Sequence, residues 1–193
     1  TGAERDVLIE HCVADVESLL SRFAALLRIS EMEDRRRRAG FGSVDLGIML
    51  REIHELFSPL AEDKGVQLKL ELETLPAIDA DRELLFEAIC NLVSNAVKFT
   101  PVGGTIWLRA RTDGDGARLC VLDNGPGIPA GERDAVLQRF YRSEATRQLP
   151  GSGLGLSIVS AIVRLHGFRL DIGTGDNGGT RVTLYCQPPV VSS

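Results

Sequence analysis

Two amides and one ammonium group recur at helical spacing along a single predicted helix. Asn91, Asn95 and Lys98 stand at positions i, i+4 and i+7, which places them on one stripe of the helix. A neighbouring stripe with the same period is apolar and is predicted to face a core; it consists of Leu85, Ile89, Leu92 and Ala96. Such a helix can pack on a sheet and hold a phosphorylated, metal-bound ligand along its polar flank. A solvated polar face explains the same spacing equally well.

A carboxylate followed by glycines, Asp123-Asn-Gly-Pro-Gly-Ile128, comes directly after a predicted strand. The glycines allow close backbone approach to a flat ligand and accept a positive φ. Asp123 would be a fixed acceptor at the strand end, suited to an exocyclic amine such as that of adenine and unsuited to the oxygen of guanine. A turn with a capping aspartate is the simpler interpretation when this segment is considered alone.

Two further glycine segments open the last helix and the last strand. Gly151-Ser-Gly-Leu-Gly-Leu156 begins a helix, where unpaired backbone amides form an anion site. The segment is neither a P-loop, which ends in Gly-Lys-Ser/Thr, nor a dinucleotide-binding motif, which follows a strand. The polar residues 143–148 before it predict a mobile flap, a candidate lid. Gly178-Gly-Thr180 opens the last strand, although a plain hairpin also explains it.

Hydrophobic periodicity predicts an α+β fold. A helix follows a cap at Asp79 or Asp81, and the other helices are predicted at about 46–64, 132–140 and 155–166. The predicted strands cover about 66–73, 105–111, 117–122, 168–172 and 180–186, with a hairpin turn at Asp113-Gly-Asp-Gly116. These elements favour a two-layer α/β sandwich in which helices cover one face of a mixed, largely antiparallel sheet.

Composition restricts the class of protein. The 193 residues carry a net charge of −5, with 44% hydrophobic and 25% charged residues, as in soluble globular proteins. The negative charge argues against nucleic-acid binding, and no apolar run approaches the ~18 residues of a membrane span, so no direct membrane contact is expected. The four cysteines are scattered and predict buried or incidental thiols: Cys12, Cys90, Cys120 and Cys186. The first residue is Thr1, so we expect a piece of a longer protein.

Residues 1–38 are predicted to contain one long helix, over about 4–38. Its apolar residues alternate spacings of four and three, which is typical of a helix packed along another helix: Ile9, Val13, Val16, Leu20, Phe23 and Leu27. Arg35 to Arg38 predict a charged helix end. Gly40 and Gly42 predict a linker at 39–43, before a second unit at 44–188 and a tail at 189–193.

Taken together, these segments resemble the ATP-binding catalytic domain of bacterial sensor histidine kinases, within the ATPase superfamily shared with gyrase, Hsp90 and MutL. The resemblance covers residues 44–188 and implies the Bergerat ATP-binding fold. The matching segments, in the family's terms, are the N box at 91–99, the G1 box at 123–128, the F box Arg139-Phe-Tyr-Arg142, the G2 box at 151–156 and the G3 region Gly179-Thr180. Phe168 departs from the family, where a small residue is more common.

The resemblance implies roles for individual residues. Asn95 would hold Mg²⁺, Asn91 and Lys98 would lie along the phosphates of ATP, and Asp123 would bind the adenine amine. Tyr141 and Arg142 would lie near the phosphates, and Asn91, Lys98 and Arg142 would serve catalysis. The remaining residues implied to contact ATP or ADP are Phe99, Gly125, Gly127, Ile128, Ser152, Gly153, Leu154, Gly155, Leu156 and Thr180.

One position separates a kinase from a hydrolase in this resemblance. In the gyrase-like branch, a Glu that activates water stands four residues before the metal-binding Asn. Here that position is Asn91, whose amide cannot accept a proton at neutral pH. Water attack is therefore not assisted, and we expect ATP to be held for transfer to another acceptor. Glu87 lies one turn earlier and is expected to be too far away.

The family's phosphoacceptor is a histidine on a two-helix dimerisation hairpin, and we expect none in this chain. His166 matches a structural His-Gly of the family. His11 lies on the predicted 4–38 helix in a context unlike the acceptor motif. His54-Glu-Leu-Phe-Ser-Pro resembles that motif, but its surroundings match the first helix of the ATP-binding domain. The 4–38 helix resembles the second helix of the hairpin, so we expect nucleotide binding with little or no self-phosphorylation.

The function predicted from the residues and the resemblance is transfer of the ATP γ-phosphate to a histidine, for relay to an aspartate of a response regulator receiver domain. The resemblance implies a homodimer in the full-length parent and a cytoplasmic location, including the case of a membrane-anchored sensor. Two alternatives stay open. One is an ATPase of the same superfamily, and the other is a nucleotide-binding scaffold without catalysis.

Overall fold

A computed structural model describes residues 40–143, 152–175 and 178–186. The predicted 4–38 helix, His11, Gly151, most of the predicted flap and the 189–193 tail lie outside these ranges. The elements in chain order are β1 (Phe41–Val44), α1 (Leu46–Asp63), β2 (Gln67–Leu72), β3 (Ile78–Asp81), α2 (Arg82–Phe99), β4 (Thr105–Asp113), β5 (Gly116–Asp123), α3 (Gly155–His166), β6 (Arg169–Thr174) and β7 (Thr180–Cys186).

Five strands form the main sheet, in the order β2-β4-β5-β7-β6. The β2–β4 pair is parallel, and the other three pairs are antiparallel. The prediction of an α+β fold with a mixed, largely antiparallel sheet is therefore confirmed. The two-residue turn between Asp113 and Gly116 joins β4 to β5, as the Asp-Gly pattern predicts.

The core lies between this sheet and the three described helices. Ile106, Leu108 and Leu119 are fully buried on the face of the sheet that the helices cover. The helices contribute their apolar stripes to the same core, including Leu50, Ile53, Leu85, Ile89 and Ile162. Each such side chain stabilises the fold by about 1.5–3 kcal/mol on burial, so the sheet and α2 form one rigid support for the side chains on the polar flank of α2.

A second, two-stranded sheet pairs β1 with β3. Val44 lies opposite Ile78, and Phe41 lies opposite Asp81. The sequence predicts a linker at 39–43, and the structure instead has a strand from Phe41. The Asp81 carboxylate accepts the backbone N–H of Leu84 at 3.1 Å and so caps α2, which decides between the two predicted caps.

The end of α2 is fixed by the end of α1. Lys64, which follows α1, donates from Nζ to the backbone carbonyls of Val97 at 2.7 Å and Lys98 at 2.6 Å. These carbonyls belong to the last turn of α2, where a cation interacts favourably with the helix dipole. The contact holds in place the turn that carries Lys98 and Phe99.

The predicted helix at 132–140 is wrong. The segment forms two short 3₁₀ turns, Ala130–Glu132 and Ala135–Leu137, neither with a side-chain cap. Gln138 is extended, and Phe140 has a φ of 65°, a left-handed conformation that a helix cannot contain. The chain turns there because the backbone N–H of Phe140 donates to the carbonyl of Gly153 at 3.1 Å. Within the described ranges, no helix is long and apolar enough to cross a membrane.

Candidate functional site

A cavity of about 330 Å³ lies between the polar flank of α2, the end of β5, the start of α3 and residues 126–143. Fourteen of the sequence-predicted site residues line it: Asn91, Asn95, Lys98, Phe99, Asp123, Gly127, Ile128, Tyr141, Arg142, Ser152, Gly153, Gly155, Leu156 and Thr180. Segments more than fifty residues apart in the chain therefore meet at one site, which favours a ligand site over a solvated helix face.

The two amides of α2 lie beside the first residue of α3. A β-carbon at Gly155 would stand 3.3 Å from Asn91 Oδ1 and 3.3 Å from Asn95 Nδ2. Asn91 is held by its own amide group, because Nδ2 donates to the backbone carbonyl of Glu87 at 2.9 Å. Asn91 therefore directs its oxygen, an acceptor, towards α3. Glu87 itself is not part of the cavity wall in the described residues.

The start of α3 offers unpaired backbone donors to the cavity. The first helical hydrogen bond runs from Ile158 N–H to the carbonyl of Leu154, so the N–H groups of Gly155, Leu156 and Ser157 have no partner within the helix. In the part of the chain that the structure describes, no side chain caps this helix. A helix of 12 residues with free amides at its first turn is an anion-binding element.

Two cations face the same region. Burial lowers the pKa of the Lys98 ammonium, and the nearby Arg142 guanidinium lowers that pKa further. Lys98 Nζ also lies 4.6 Å from the centroid of the Phe99 ring, within the range of a cation–π contact. Both cations line the cavity beside the first turn of α3, so this part of the cavity is complementary to phosphate.

Asp123 is a buried carboxyl group in the wall of the cavity, 6% exposed. Its Oδ1 accepts the backbone N–H of Gly125 at 2.8 Å and that of Thr180 at 3.1 Å. Burial raises the pKa of Asp123, and the hydrogen bonds from Thr180 and Gly125 offset part of that effect. A carboxylate has about four acceptor sites, so this rigidly held group retains capacity for a further donor.

Glycines allow the strand ends to approach each other beside Asp123. Gly179 has a φ of 71°, and a β-carbon there would stand 2.0 Å from the carbonyl oxygen of Asp123. Gly127 has a φ of 77°, and its β-carbon would stand 3.0 Å from the carbonyl of Gly179. Any larger residue at these positions would displace the backbone that positions Asp123.

The third glycine contact fixes the aromatic side of the cavity. A β-carbon at Gly153 would stand 2.9 Å from the carbonyl oxygen of Tyr141. Tyr141 is oriented by its hydroxyl, which donates to the Glu132 carboxylate at 3.1 Å. Arg133 donates to the Thr174 hydroxyl at 2.7 Å and so ties the same segment to the end of β6.

Two predicted site residues lie outside the cavity wall. Gly125 serves the site indirectly, through its N–H bond to Asp123. Leu154 is 1% exposed and belongs to the core, where it precedes α3. Conversely, sequence reasoning missed the apolar wall, which includes Leu92, Val121, Val136 and Val182, and the polar residues Ser94 and Ser143. The apolar residues looked like ordinary core positions, and no sequence signal distinguishes a core residue from the floor of a pocket.

The protein is an α+β sandwich in which one cavity is lined by the amides of α2 and by the buried carboxyl group of Asp123. Residues 80–190 match the family model described as histidine kinase-, DNA gyrase B-, and HSP90-like ATPase, and the chain belongs to this family. The family predicted from the sequence motifs is confirmed.

The individual proteins that this chain resembles include sensor kinases. The sensor protein kinase PmrB of Pseudomonas aeruginosa is 35% identical over 171 residues, which are 88% of this chain and 36% of PmrB. The chain thus spans little more than a third of that relative. Full-length ShkA, solved in complex with AMPPNP, has a TM-score of 0.77 and 30% identity over 87% of this chain and 35% of ShkA. The mycobacterial sensor histidine kinase MprB has a TM-score of 0.65 and 31% identity over 74% of this chain and 94% of that chain.

Proposed function

We propose that this chain is the ATP-binding catalytic part of a sensor histidine kinase, which holds ATP with Mg²⁺ and presents the γ-phosphate to a histidine on another segment. The observation that carries the proposal is the position of Asn91. Its oxygen faces the start of α3, where the resemblance places the phosphates, and an amide cannot remove a proton from water. The proposed site therefore lacks the group that would direct ATP to hydrolysis.

The nucleotide would lie with its base at Asp123 and its phosphates at α3. Asp123 accepts only, so it pairs with the amine of adenine and disfavours guanine, which presents an oxygen there. The apolar wall formed by Val121, Val136 and Val182 suits a flat base. The amides of Gly155 and Leu156 and the cations Lys98 and Arg142 would receive the phosphates, and the same contacts would hold ADP.

Asn95 is the proposed protein ligand of Mg²⁺. Within the described ranges no cluster of His, Cys, Asp or Glu side chains could hold a metal ion by itself. Mg²⁺ commonly takes few protein oxygens and completes its shell with phosphates and water, which fits a single amide next to a phosphate site. When bound, Mg²⁺ would neutralise phosphate charge. The protein's own contribution is to fix Asn95 on a packed helix, to bind the phosphates through Lys98 and to orient the base at Asp123.

The histidine acceptor is proposed to lie outside the described residues. His54 has a structural partner, because its Nε2 lies 3.1 Å from the backbone carbonyl of Leu68 and that oxygen can only accept. His166 is 6% exposed, and each of its two ring nitrogens takes part in a hydrogen bond with the backbone. A homodimer of the parent, relay to a response regulator receiver domain and a cytoplasmic location remain proposals that follow from the resemblance to sensor kinases.

Nucleotide titration tests the binding half of this proposal. We expect calorimetry to show ATP binding that strengthens with Mg²⁺. The affinity for ATP should exceed that for GTP by roughly tenfold or more, because GTP would leave the polar group of Asp123 without its partner. Asp123→Ala should weaken ATP binding by about 10–100-fold, as expected for a hydrogen bond to a charged group. Asp63→Ala, at an exposed aspartate of α1, is the matched control and should bind as the parent does. Equal affinity for ATP and GTP, or unchanged binding by Asp123→Ala, would contradict the proposed site.

A further inference from the structure

The outer face of the main sheet, opposite the helices, carries an ordered set of arginines that the proposed kinase site does not use. The strand register places side chains of this face in rows that cross the sheet. One row runs Arg111, Arg118, Tyr185 and Arg169 through β4, β5, β7 and β6. We refer to it as the cationic row.

The cationic row places two positive charges directly opposite each other on neighbouring strands. Arg111 and Arg118 are cross-strand partners in the β4–β5 hairpin, and such a like-charge pair is destabilising in a sheet. Asp113 lies 4.0 Å from Arg118 and offsets part of that repulsion. Among the described residues, Arg111 has no ion-pair partner, and it is exposed. An unfavourable arrangement of this kind on a protein with a net charge of −5 is relieved when an anionic partner binds.

The adjacent row forms a shallow bowl. It runs Glu71, Arg109, Cys120, Thr183 and Asp171, so two short side chains lie in its centre. The bowl has a volume of about 740 Å³, with Arg109, Arg111, Arg118 and Arg181 among the residues that line it. Burial raises the pKa of the Cys120 thiol, while the hydrogen bond with Thr183 and, more weakly, the Arg181, Arg109 and Arg111 guanidinium groups lower that pKa. Arg109 is paired with Glu71, at 2.7 Å between Nε and Oε2, so the other positive charge beside the centre of the bowl comes from the Arg181 and Arg111 guanidinium groups.

Two aromatic rings lie beside four cations of this surface. Lys69 and Arg109 lie 5.9 and 5.5 Å from the ring of Trp107. Arg169 lies 3.7 Å from the ring of Tyr185, and Arg118 lies 5.8 Å from it. Cations stacked on rings lose less conformational freedom when they bind, and Arg, Trp and Tyr are the residue types that contribute most to interfaces.

We propose that this outer sheet face, centred on the cationic row and the bowl, is a docking surface for an acidic polypeptide segment of a partner protein. Acidic side chains also stand on the face, at Glu71, Glu73 and Asp171. These carboxylates would repel the closely spaced negative charges of a nucleic acid or of an anionic membrane. A protein partner can present both acidic and basic side chains and so can be complementary to both. Five strands at about 4.8 Å spacing give a face roughly 20 Å wide, which suits a small, transient protein interface.

The test measures binding of a fluorescein-labelled deca-glutamate peptide by fluorescence anisotropy. The test variant is Arg111→Glu/Arg169→Glu, which reverses two exposed residues of the cationic row. The control is Arg51→Glu/Arg164→Glu, the same charge change at exposed positions of α1 and α3. We expect the test variant to lose about tenfold or more in affinity and the control to stay within about twofold. The milder variant Arg111→Gln/Arg169→Gln should be intermediate, and salt should weaken binding throughout.

Two other probes distinguish the sources of negative charge. Inorganic tripolyphosphate and phosphatidylglycerol-containing phosphatidylcholine vesicles are titrated against the same variants. Tighter binding of either probe than of the peptide, lost in Arg111→Glu/Arg169→Glu, would overturn the polypeptide assignment in favour of a phosphate or lipid ligand. Absence of peptide binding at low salt, or equal loss in the control variant, would overturn the docking surface itself.

Discussion

His166 Nε2 accepts a hydrogen bond from the backbone N–H of Asp81 at 3.0 Å and so joins the end of α3 to the start of α2. The second ring nitrogen, Nδ1, lies 2.8 Å from the carbonyl of Ile162 and must therefore carry the proton. The neutral ring is packed between Phe41 and Phe168, with centroids 4.7 and 5.1 Å away. The two helices that form the candidate phosphate site are thus held together at the far end from that site.

Loss of this histidine should destabilise the fold. In His166→Phe the ring volume is kept, but the buried N–H of Asp81 loses its acceptor, so the free energy of unfolding should fall by about 1–3 kcal/mol. Urea denaturation followed by circular dichroism measures the change. Phe41→Leu, which alters the ring contact and keeps the hydrogen bond, is the comparison. Equal stability of His166→Phe and the parent would show that the bond to Asp81 contributes nothing.

Asp123 should make stability depend on pH. Burial raises its pKa above the ordinary value of 3.8, which means that the folded state disfavours the ionised form. The stability that the protonated carboxyl group contributes is present below the unfolded value and is lost as pH rises through the folded pKa. Asp123→Asn should therefore unfold at higher urea than the parent near neutral pH, and this advantage should shrink as pH falls towards about 4. A constant difference across that range would contradict the raised pKa.

Asp123→Asn should also lose ATP binding while remaining folded. The amide that replaces the carboxylate presents a donor to the donor amine of adenine. We expect a loss of about tenfold or more by calorimetry, without loss of the circular dichroism spectrum. A variant that binds ATP normally would place the base elsewhere.

Lys98 should act on phosphate rather than on the base. Lys98→Met removes a charge-assisted hydrogen bond, so ATP affinity should fall by about 10–100-fold, while adenosine affinity should stay within about twofold. Because Arg142 lowers the pKa of Lys98, Arg142→Gln should raise that pKa, measured by NMR titration of the lysine side chain. Equal losses for ATP and adenosine in Lys98→Met would indicate a structural role instead.

Cys90 and Cys186, two of the three described cysteines, should be unreactive in the folded protein. Burial raises the pKa of Cys90 to about 11, with a further contribution from Glu87, and raises that of Cys186 to about 12. In a Cys12→Ser/Cys120→Ser background, Ellman's reagent near pH 8 should modify these two thiols roughly a hundredfold more slowly than a free cysteine, whose pKa is about 8.5. Urea should abolish the protection. Fast reaction in the native state would contradict their burial.

Much of the site was predictable because its residues follow strong local rules. The stripe of Asn91, Asn95 and Lys98 follows from helical period, and the strand before Asp123 follows from alternation. What brings Asp123 to the cavity is the backbone approach of Gly127 and Gly179, which is a tertiary contact. From the sequence, the glycines predicted only conformational freedom of the backbone. They did not indicate which segments of the chain would pack against them.

The parts of the structure that were not predicted correctly from the sequence have a common physical cause. Strands β1 and β3 have four residues each and pair only with each other in the described fold, so neither has a long pattern to detect. Residues 132–140 have the composition of a short helix, but the contact between Phe140 and Gly153 overrides local preference. Likewise, Leu154 is drawn into the core. Tertiary contacts of this kind decide short segments because local propensity there amounts to a few tenths of a kcal/mol per residue.

The fate of the γ-phosphate tests the account most directly. The chain is incubated with γ-labelled ATP, Mg²⁺ and the separately supplied two-helix hairpin of its parent, and label is followed in protein and in free phosphate. The account predicts acid-labile label on a histidine of the hairpin, little free phosphate and unchanged transfer by His54→Gln. Asn91→Glu, which installs a base able to activate water, should shift label towards free phosphate. Release of most label as free phosphate by the parent chain, with the hairpin unlabelled, would contradict transfer as the function of this site.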